Sequence, residues 1–310
     1  MIDVFAELGL VVLERGWLSS NNIVFRSAHG TPATVVDTGY GAHSAQTCTL
    51  LAAQLGSEPL GRMLNTHLHS DHCGGNAALQ SAWGCEVWVP EASFDAVRSW
   101  DASTLTFEQT DQRCERFSAQ KALHTGSSVQ LGEFAWQVIA APGHDPDAVM
   151  LFQRDSGVLI TADALWEERL AIIFPELAGE SGFSEARGAL DVIEQLAPKV
   201  VIPGHGRPFT DVSAALANSR RRITQFEAEP ARHLRYAERA LTMFHMLEYR
   251  SLARDALVAW LAQTPIFHGV VERQTGVEDG DRKTHAAAVL TGLLQAGQLC
   301  MDDAGTVHIA

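Results

Sequence analysis

The stretch Thr66-His67-Leu68-His69-Ser70-Asp71-His72-Cys73-Gly74-Gly75 packs three imidazoles and one carboxylate into six consecutive positions. Such a cluster repels itself when protonated and resists burial unless a cation sits among its side chains. Neutral imidazole and carboxylate are ligands that zinc, iron and manganese all accept. One or two divalent ions are therefore the expected occupants. An apolar run, Met63–Asn65, reads as a strand that leads directly into the cluster.

Outward from this stretch, composition narrows the classes of function. With 310 residues the chain is long enough for one large domain or two smaller ones. Its hydrophobic share of 46% is that of a globular protein rather than a disordered one. A net charge of −14 argues against a protein built to coat nucleic acid or an anionic membrane. Lys and Arg number 12 against 25 Asp and Glu in residues 1–210, and 11 against 12 in residues 211–310. The half that carries the His cluster is thus the acidic one. No apolar run has the length of a membrane span, and the N-terminus lacks the pattern of a signal peptide, so the expectation is a cytoplasmic protein. Cys48, Cys73, Cys85, Cys114 and Cys300 are scattered and never spaced as CxxC, which fits reduced thiols. Cys73 reads as a small residue packed behind the His loop.

Short strand-like runs rich in Val and Ile alternate with turn signals through the first two-thirds of the chain. Strands are expected at 10–13, 23–26, 33–37, 86–89, 129–131, 134–140, 149–153, 158–161 and 200–202. Helices are expected at 44–55, 76–81 and 184–195, the last with Ser184 as N-cap. Residues 99–125 show poor periodicity and read as a loop or insert near the cluster. Strands with helices between, twice over, predict a layered α/β domain over residues 1–210. After residue 211 the pattern is helical, at 212–228, 231–247, 252–261 and 282–295. Two short strands around Asp303-Ala304-Gly305 close the chain as a hairpin. Helices followed by a hairpin predict a winged-helix-like domain over residues 211–310.

Three further motifs stand where strands end. Ala141-Pro142-Gly143-His144-Asp145 follows the strand at 134–140, Thr161-Ala162-Asp163 closes the one at 158–161, and Pro203-Gly204-His205-Gly206 follows the one at 200–202. Strand ends hold side chains rigidly at one sheet edge, so a site can be assembled there from distant sequence.

With these motifs the chain resembles the metallo-β-lactamase-fold hydrolases over roughly residues 20–210, in the lactonase, glyoxalase-II-like and ribonuclease branches. The resemblance implies a four-layer αββα sandwich and two divalent ions, zinc with iron or manganese as alternatives. It implies that His67, His69 and His144 hold one ion, that Asp71, His72 and His205 hold the other, and that Asp163 bridges them. Asp37, closing Val35-Val36-Asp37, matches the family's buried carboxylate that supports the His loop from behind. A hydroxide between the ions would attack the substrate, with Asp71 orienting it and carrying a proton to the leaving group. Tyr40, Trp166 and Phe174 fall where the family builds its pocket.

The reading that results is a binuclear hydrolase of a small ester, thioester or lactone, with a small molecule as partner, no membrane, and a homodimer as one form it could take. Three alternatives stand beside it. A nuclease or phosphodiesterase would need a basic stripe beside the metals, and Arg220-Arg221-Arg222 reads instead as a solvated helix face. A winged-helix regulator would use the metal domain as a sensor, and a mononuclear iron dioxygenase would use the same scaffold for oxygen chemistry.

Overall fold

The computed structural model describes residues 2–275 and 282–310. Strands β1 (Leu10–Leu13), β2 (Asn22–Phe25), β3 (Ala33–Val36), β4 (Leu60–Leu64), β5 (Glu86–Pro90) and β6 (Lys121–Leu123) lie side by side in chain order. Pairing is antiparallel from β1 to β3 and parallel from β3 to β6. A second sheet has the order β11-β10-β9-β8-β7, built from β7 (Ser128–Leu131), β8 (Phe134–Ala140), β9 (Val149–Gln153), β10 (Val158–Ala162) and β11 (Val200–Pro203). Its strands are antiparallel except for the β10–β11 pair.

Side chains alternate across a strand, and that alternation divides the core into layers. Ile23, Phe25, Val36 and Leu64 face the second sheet, where they meet Val138, Leu151, Ile160 and Ile202. Val24, Val35, Met63 and Val87 point the other way, onto Leu51, Leu55 and Leu79 of the helices Ser44–Leu55 and Asn76–Trp83. On the far side Met150, Phe152, Leu159 and Val201 pack against Leu190 and Ile193 of the helix Phe183–Leu196 and Leu216 and Ile223 of the helix Val212–Ala228. The result is a four-layer αββα sandwich. Each fully buried Val, Leu or Ile contributes about 1.5–3 kcal/mol, which makes the paired sheets the stiffest part of the chain.

Residues 230–310 add the helices Pro230–Tyr249, Arg254–Gln263, Pro265–Thr275 and Arg282–Gln295, with strands β12 (Ser251–Ala253), β13 (Leu299–Met301) and β14 (Thr306–Ile309). β14 lies between β12 and β13 and pairs antiparallel with both. Ile172 and Leu177 join the core of this region, so it is packed onto the sandwich rather than tethered to it. No helix among the described residues is long and apolar enough to cross a membrane.

Several expectations needed correction. The helix at 252–261 begins instead at Arg254, because Ser251–Ala253 pairs with β14 and tertiary pairing overrides the helix propensity of Leu and Ala. The helix Pro265–Thr275, opened by a proline at its first turn, went unanticipated. So did β6, a three-residue edge strand inside 99–125, too short to show a period. The helix expected from Ser184 starts at Phe183, and Glu176 Oε1 accepts the backbone N–H groups of Gly182 and Phe183 there.

Candidate metal centre and its cleft

The chain direction in the sheets puts the motif-bearing strand ends together. β3 and β4 run parallel, as do β10 and β11, and β8 shares the direction of β10 because both are antiparallel to β9. Asp37, His67, His144, Asp163 and His205 therefore emerge from the carboxyl ends of five strands at one edge of the sandwich. Two groups form there: His67 with His69 and His144, and Asp71 with His72, Asp163 and His205, the donor atoms within each lying within 4.8 Å of one another. The groups touch, since His144 Nε2 stands 3.4 Å from Asp163 Oδ2 and His72 Nε2 stands 3.4 Å from Asp163 Oδ1. Asp163 thus faces both.

Hydrogen bonds fix which nitrogen of several rings is free. His72 Nδ1 donates to Asp37 Oδ2 at 2.8 Å and His144 Nδ1 donates to the Ile172 carbonyl at 2.6 Å, which turns both Nε2 atoms inward, that of His144 to within 2.8 Å of His69 Nδ1. His67 Nε2 and His72 Nε2 are buried without a hydrogen-bond partner. A buried polar nitrogen so orphaned costs about 1–3 kcal/mol unless something ligates it. Asp37 holds the loop from beneath: Oδ1 accepts Thr66 N–H at 2.9 Å and Oδ2 accepts Thr66 Oγ1–H at 2.8 Å, besides the His72 bond. It does so from a left-handed backbone (φ 56°), which Asp tolerates better than most residues. His69 Nε2 lies 3.6 Å from Asp145 Oδ2, a carboxyl that burial pushes up to about 7.

Titration follows this geometry. Burial, reinforced by the neighbouring imidazoles His72, His69 and His144, holds His67 well below the usual histidine range. Burial and His144 bring His69 down to about 3, and burial lowers His144 as well. Burial opposes a charge on His72 too, but Asp163, Asp37 and Asp71 outweigh it and raise that imidazole well above its ordinary value. Burial also works against ionised Asp71 and Asp163, yet His72 and His205 prevail and hold both carboxyls down. Three imidazoles held neutral, His67, His69 and His144, stand beside two carboxylates held ionised and a His72 whose positive charge those carboxylates favour, a donor set that a cation would complete. Space agrees, because a Cβ at Gly204 would fall 2.1 Å from Asp163 Oδ1 and 2.9 Å from His72 Cε1. The residues present fit a pair of divalent ions.

The centre floors a cleft of about 520 Å³ reached by His69, Asp71, His144, Asp163 and His205. Trp166 and Phe174 line it. Trp166 Nε1 donates to Asp163 Oδ1 at 3.1 Å, and the Phe174 ring lies 4.5 Å from that of His69. Tyr40 does not line it. Its ring is buried behind the wall, with its hydroxyl donating to Glu248 Oε2 at 2.7 Å and its edge against Phe244. Burial and Glu248 raise its pKa, so it stays a neutral strut. Cys73 is packed behind the loop, as expected, 3.8 Å from Cys114.

Two features were missed from the sequence. Trp17 stacks on His205 with the ring centres 5.4 Å apart, and the Arg169 guanidinium lies 4.9 Å from the Trp17 ring. More consequentially, one wall of the cleft is the helix Pro230–Tyr249, through Ala240, Met243, Phe244 and Leu247. Gln112, from the 99–125 segment, completes the rim and accepts the hydroxyl of Ser70.

A family model of the metallo-beta-lactamase superfamily matches residues 15–205, the span that contains every donor described above. The chain belongs to the metallo-beta-lactamase superfamily. It is accordingly a metal-dependent enzyme of a hydrolase family. A hydroxyacylglutathione hydrolase of Anaeromyxobacter dehalogenans is 27% identical over 259 residues, covering 78% of this chain and 89% of that protein. A mitochondrial persulfide dioxygenase of Bos taurus is 32% identical over 123 residues, 39% of this chain, and the match spans only 39% of that protein's length. Among solved structures, a beta-lactamase domain protein from Burkholderia ambifaria aligns with a TM-score of 0.56 at 21% identity, covering 97% of this chain and 91% of that one. A metallo-beta-lactamase family protein from Thermus thermophilus aligns at a TM-score of 0.55 and 20% identity, over 97% and 98% of the two chains. These superpositions establish the fold, including its αββα core.

Proposed function

We propose that this superfamily member is a binuclear metal-dependent hydrolase of a small ester, thioester or lactone. The observation that carries the reading is the pair of facing donor groups, seven side chains in all, at the floor of a largely apolar cleft. His67, His69 and His144 would hold one ion, Asp71, His72 and His205 the other, and Asp163 would serve both. When bound, such a pair supplies Lewis acidity and lowers the pKa of water to near neutrality. Zinc is the expected metal, with iron or manganese as alternatives.

The chain's own groups account for the rest. The apolar wall of Ile172, Phe174, Met243, Phe244 and Leu247 would bind an acyl group and exclude water from it. Asp71 Oδ2, which accepts from His205 Nε2 at 3.0 Å, opens onto the cleft and would take the proton of the attacking water and deliver it to the leaving group. Asp37 would hold the His loop in register. Residues 211–310 would act as a winged-helix-like domain whose first long helices shape the substrate pocket. The order β12-β14-β13 around the helices supports that reading.

Partial likeness to a persulfide dioxygenase keeps oxygen chemistry at a single iron as the second reading. His205 and Asp71, 3.0 Å apart beside Asp163, offer a second ion its own donors, which favours the hydrolase. Elemental analysis of the purified protein, with a panel of esters, thioesters, lactones and bis(p-nitrophenyl) phosphate, separates them. Two ions per chain with ester or thioester turnover is the expected result. One iron per chain with no hydrolysis would overturn the proposal.

A further inference from the structure

The helices Val212–Ala228 and Pro230–Tyr249 meet at a groove of about 390 Å³ whose lining includes Arg222, Phe226, Arg232, Arg235, Tyr236 and Arg239. Four guanidinium groups in one groove are unexpected in a chain of net charge −14. Neighbouring arginines of the same helix are occupied elsewhere: Arg220 pairs with Asp191 and Glu194, and Arg221 donates to Asn218. Within the groove Glu229 neutralises Arg235. Among the described residues Arg222, Arg232 and Arg239 have no carboxylate partner, and Arg222 Nε is buried with no acceptor at all. Like charges gathered without counter-charge, one of them partly desolvated, lower stability unless an anion joins them.

The groove adjoins the metal cleft, with Tyr236 and Arg239 lining both. Tyr236 donates its hydroxyl to the Leu170 carbonyl, so the partition between the two spaces is fixed. Its pKa is raised first by burial, with Arg222 on one side and Asp163 on the other both close enough to act on it.

Resting on the hydrolase reading, we infer that the substrate carries a phosphate group on its leaving-group side, seated among Arg222, Arg232 and Arg239. The apolar half of the cleft takes the acyl chain, which leaves the charged groove for the other half of the molecule. Guanidinium forks match phosphate oxygens two at a time, and three unpaired charges suit a group bearing more than one negative charge. In the reaction, the oxygen of water bonds to the acyl carbon and the C–S or C–O bond breaks. The leaving thiol or alcohol takes a proton, giving a carboxylate and a phosphate-bearing thiol or alcohol.

Coenzyme A and pantetheine share the thiol end and differ in the phosphates and the adenosine that carries them, so titration calorimetry of both, on the parent and on arginine variants, reads the groove. Coenzyme A should bind at least tenfold more tightly. That ratio should fall toward one in the double variant Arg222→Gln/Arg232→Gln and on raising salt. The single variant Arg232→Gln, at an exposed position, should lower it part of the way. Equal binding of the two compounds, or a ratio that the substitutions leave unchanged, would overturn the inference. Cleavage of single-stranded RNA faster than any thioester would overturn it in favour of a nuclease. Hydrolysis of acetyl-coenzyme A and of the ester, thioester and lactone panel is followed separately: its absence with coenzyme A binding intact would sink the hydrolase reading and leave the phosphate site standing.

Discussion

Replacing Gly204 with Ala tests whether the centre tolerates any reshaping. The added Cβ would sit 2.1 Å from Asp163 Oδ1, about 1 Å inside ordinary non-bonded approach, and 2.9 Å from His72 Cε1. Neither neighbour is a flexible chain end, since Asp163 is tied to Trp166 and His72 to Asp37. Ligand distances tolerate about 0.2 Å, and misplacement of a catalytic group by about 1 Å costs on the order of 100-fold in rate. Gly204→Ala should therefore lose one or both ions on dialysis and at least about 100-fold in kcat/KM. Gly206→Ala is the control, because its φ of +84° strains the backbone but its Cβ would meet nothing within 4 Å. It should cost about 1 kcal/mol of stability and keep its metal. Elemental analysis, kinetics and thermal melts report on each variant. Two retained ions and near-native turnover in Gly204→Ala would refute the geometry on which the centre is built.

Other expectations follow from the same contacts. Asp71→Ala removes a donor and the proposed proton carrier, so hydrolysis of the best panel ester should fall more than about 100-fold with the circular dichroism unchanged; full activity would exclude its role. Asp37→Asn keeps the shape and tolerates φ 56° but loses the charge on His72 Nδ1, and chelator competition should show metal affinity weakened about 10–100-fold. His233, buried with Nε2 accepting Ile173 N–H at 3.1 Å, is lowered by burial from 6.5 to about 4. It takes a proton in the unfolded chain near pH 6.5 and in the folded one only near pH 4, so its contribution is whole above 6.5 and shrinks as pH falls. Denaturant melts of metal-loaded protein between those limits should show His233→Gln losing less stability than the parent, by up to about 3 kcal/mol.

The site was far more legible than its surroundings. His67, His69, Asp71 and His72 lie within one short loop of chain, and His144, Asp163, His205 and Asp37 each close a strand whose apolar pattern is local. Short-range spacing and strand-end position suffice to gather such residues at one edge. Tyr40 was misjudged because it lies a few residues past a strand end, where the backbone turns and alternation no longer says which side a ring takes. Residues 99–125 and β6 gave no period to read, since a three-residue strand and a loop are ordered by what they pack against.

By itself, then, the sequence determined a layered α/β domain and a cluster of His and Asp at strand ends, because hydrophobic alternation and ligand chemistry are written in neighbouring residues, and the αββα order and the grouping of the donors came with the family resemblance. Tertiary structure alone decided what surrounds them. Met243, Phe244 and Leu247 lie on a helix whose apolar face could as well have closed a core, and Arg222 and Arg239 on helix faces that could have met only water. A helical period tells which face of an element is apolar or charged, not which element stands opposite. That partner is fixed by packing between segments far apart in the chain, and it turns a metal centre into a cleft with an apolar wall and an arginine-lined end.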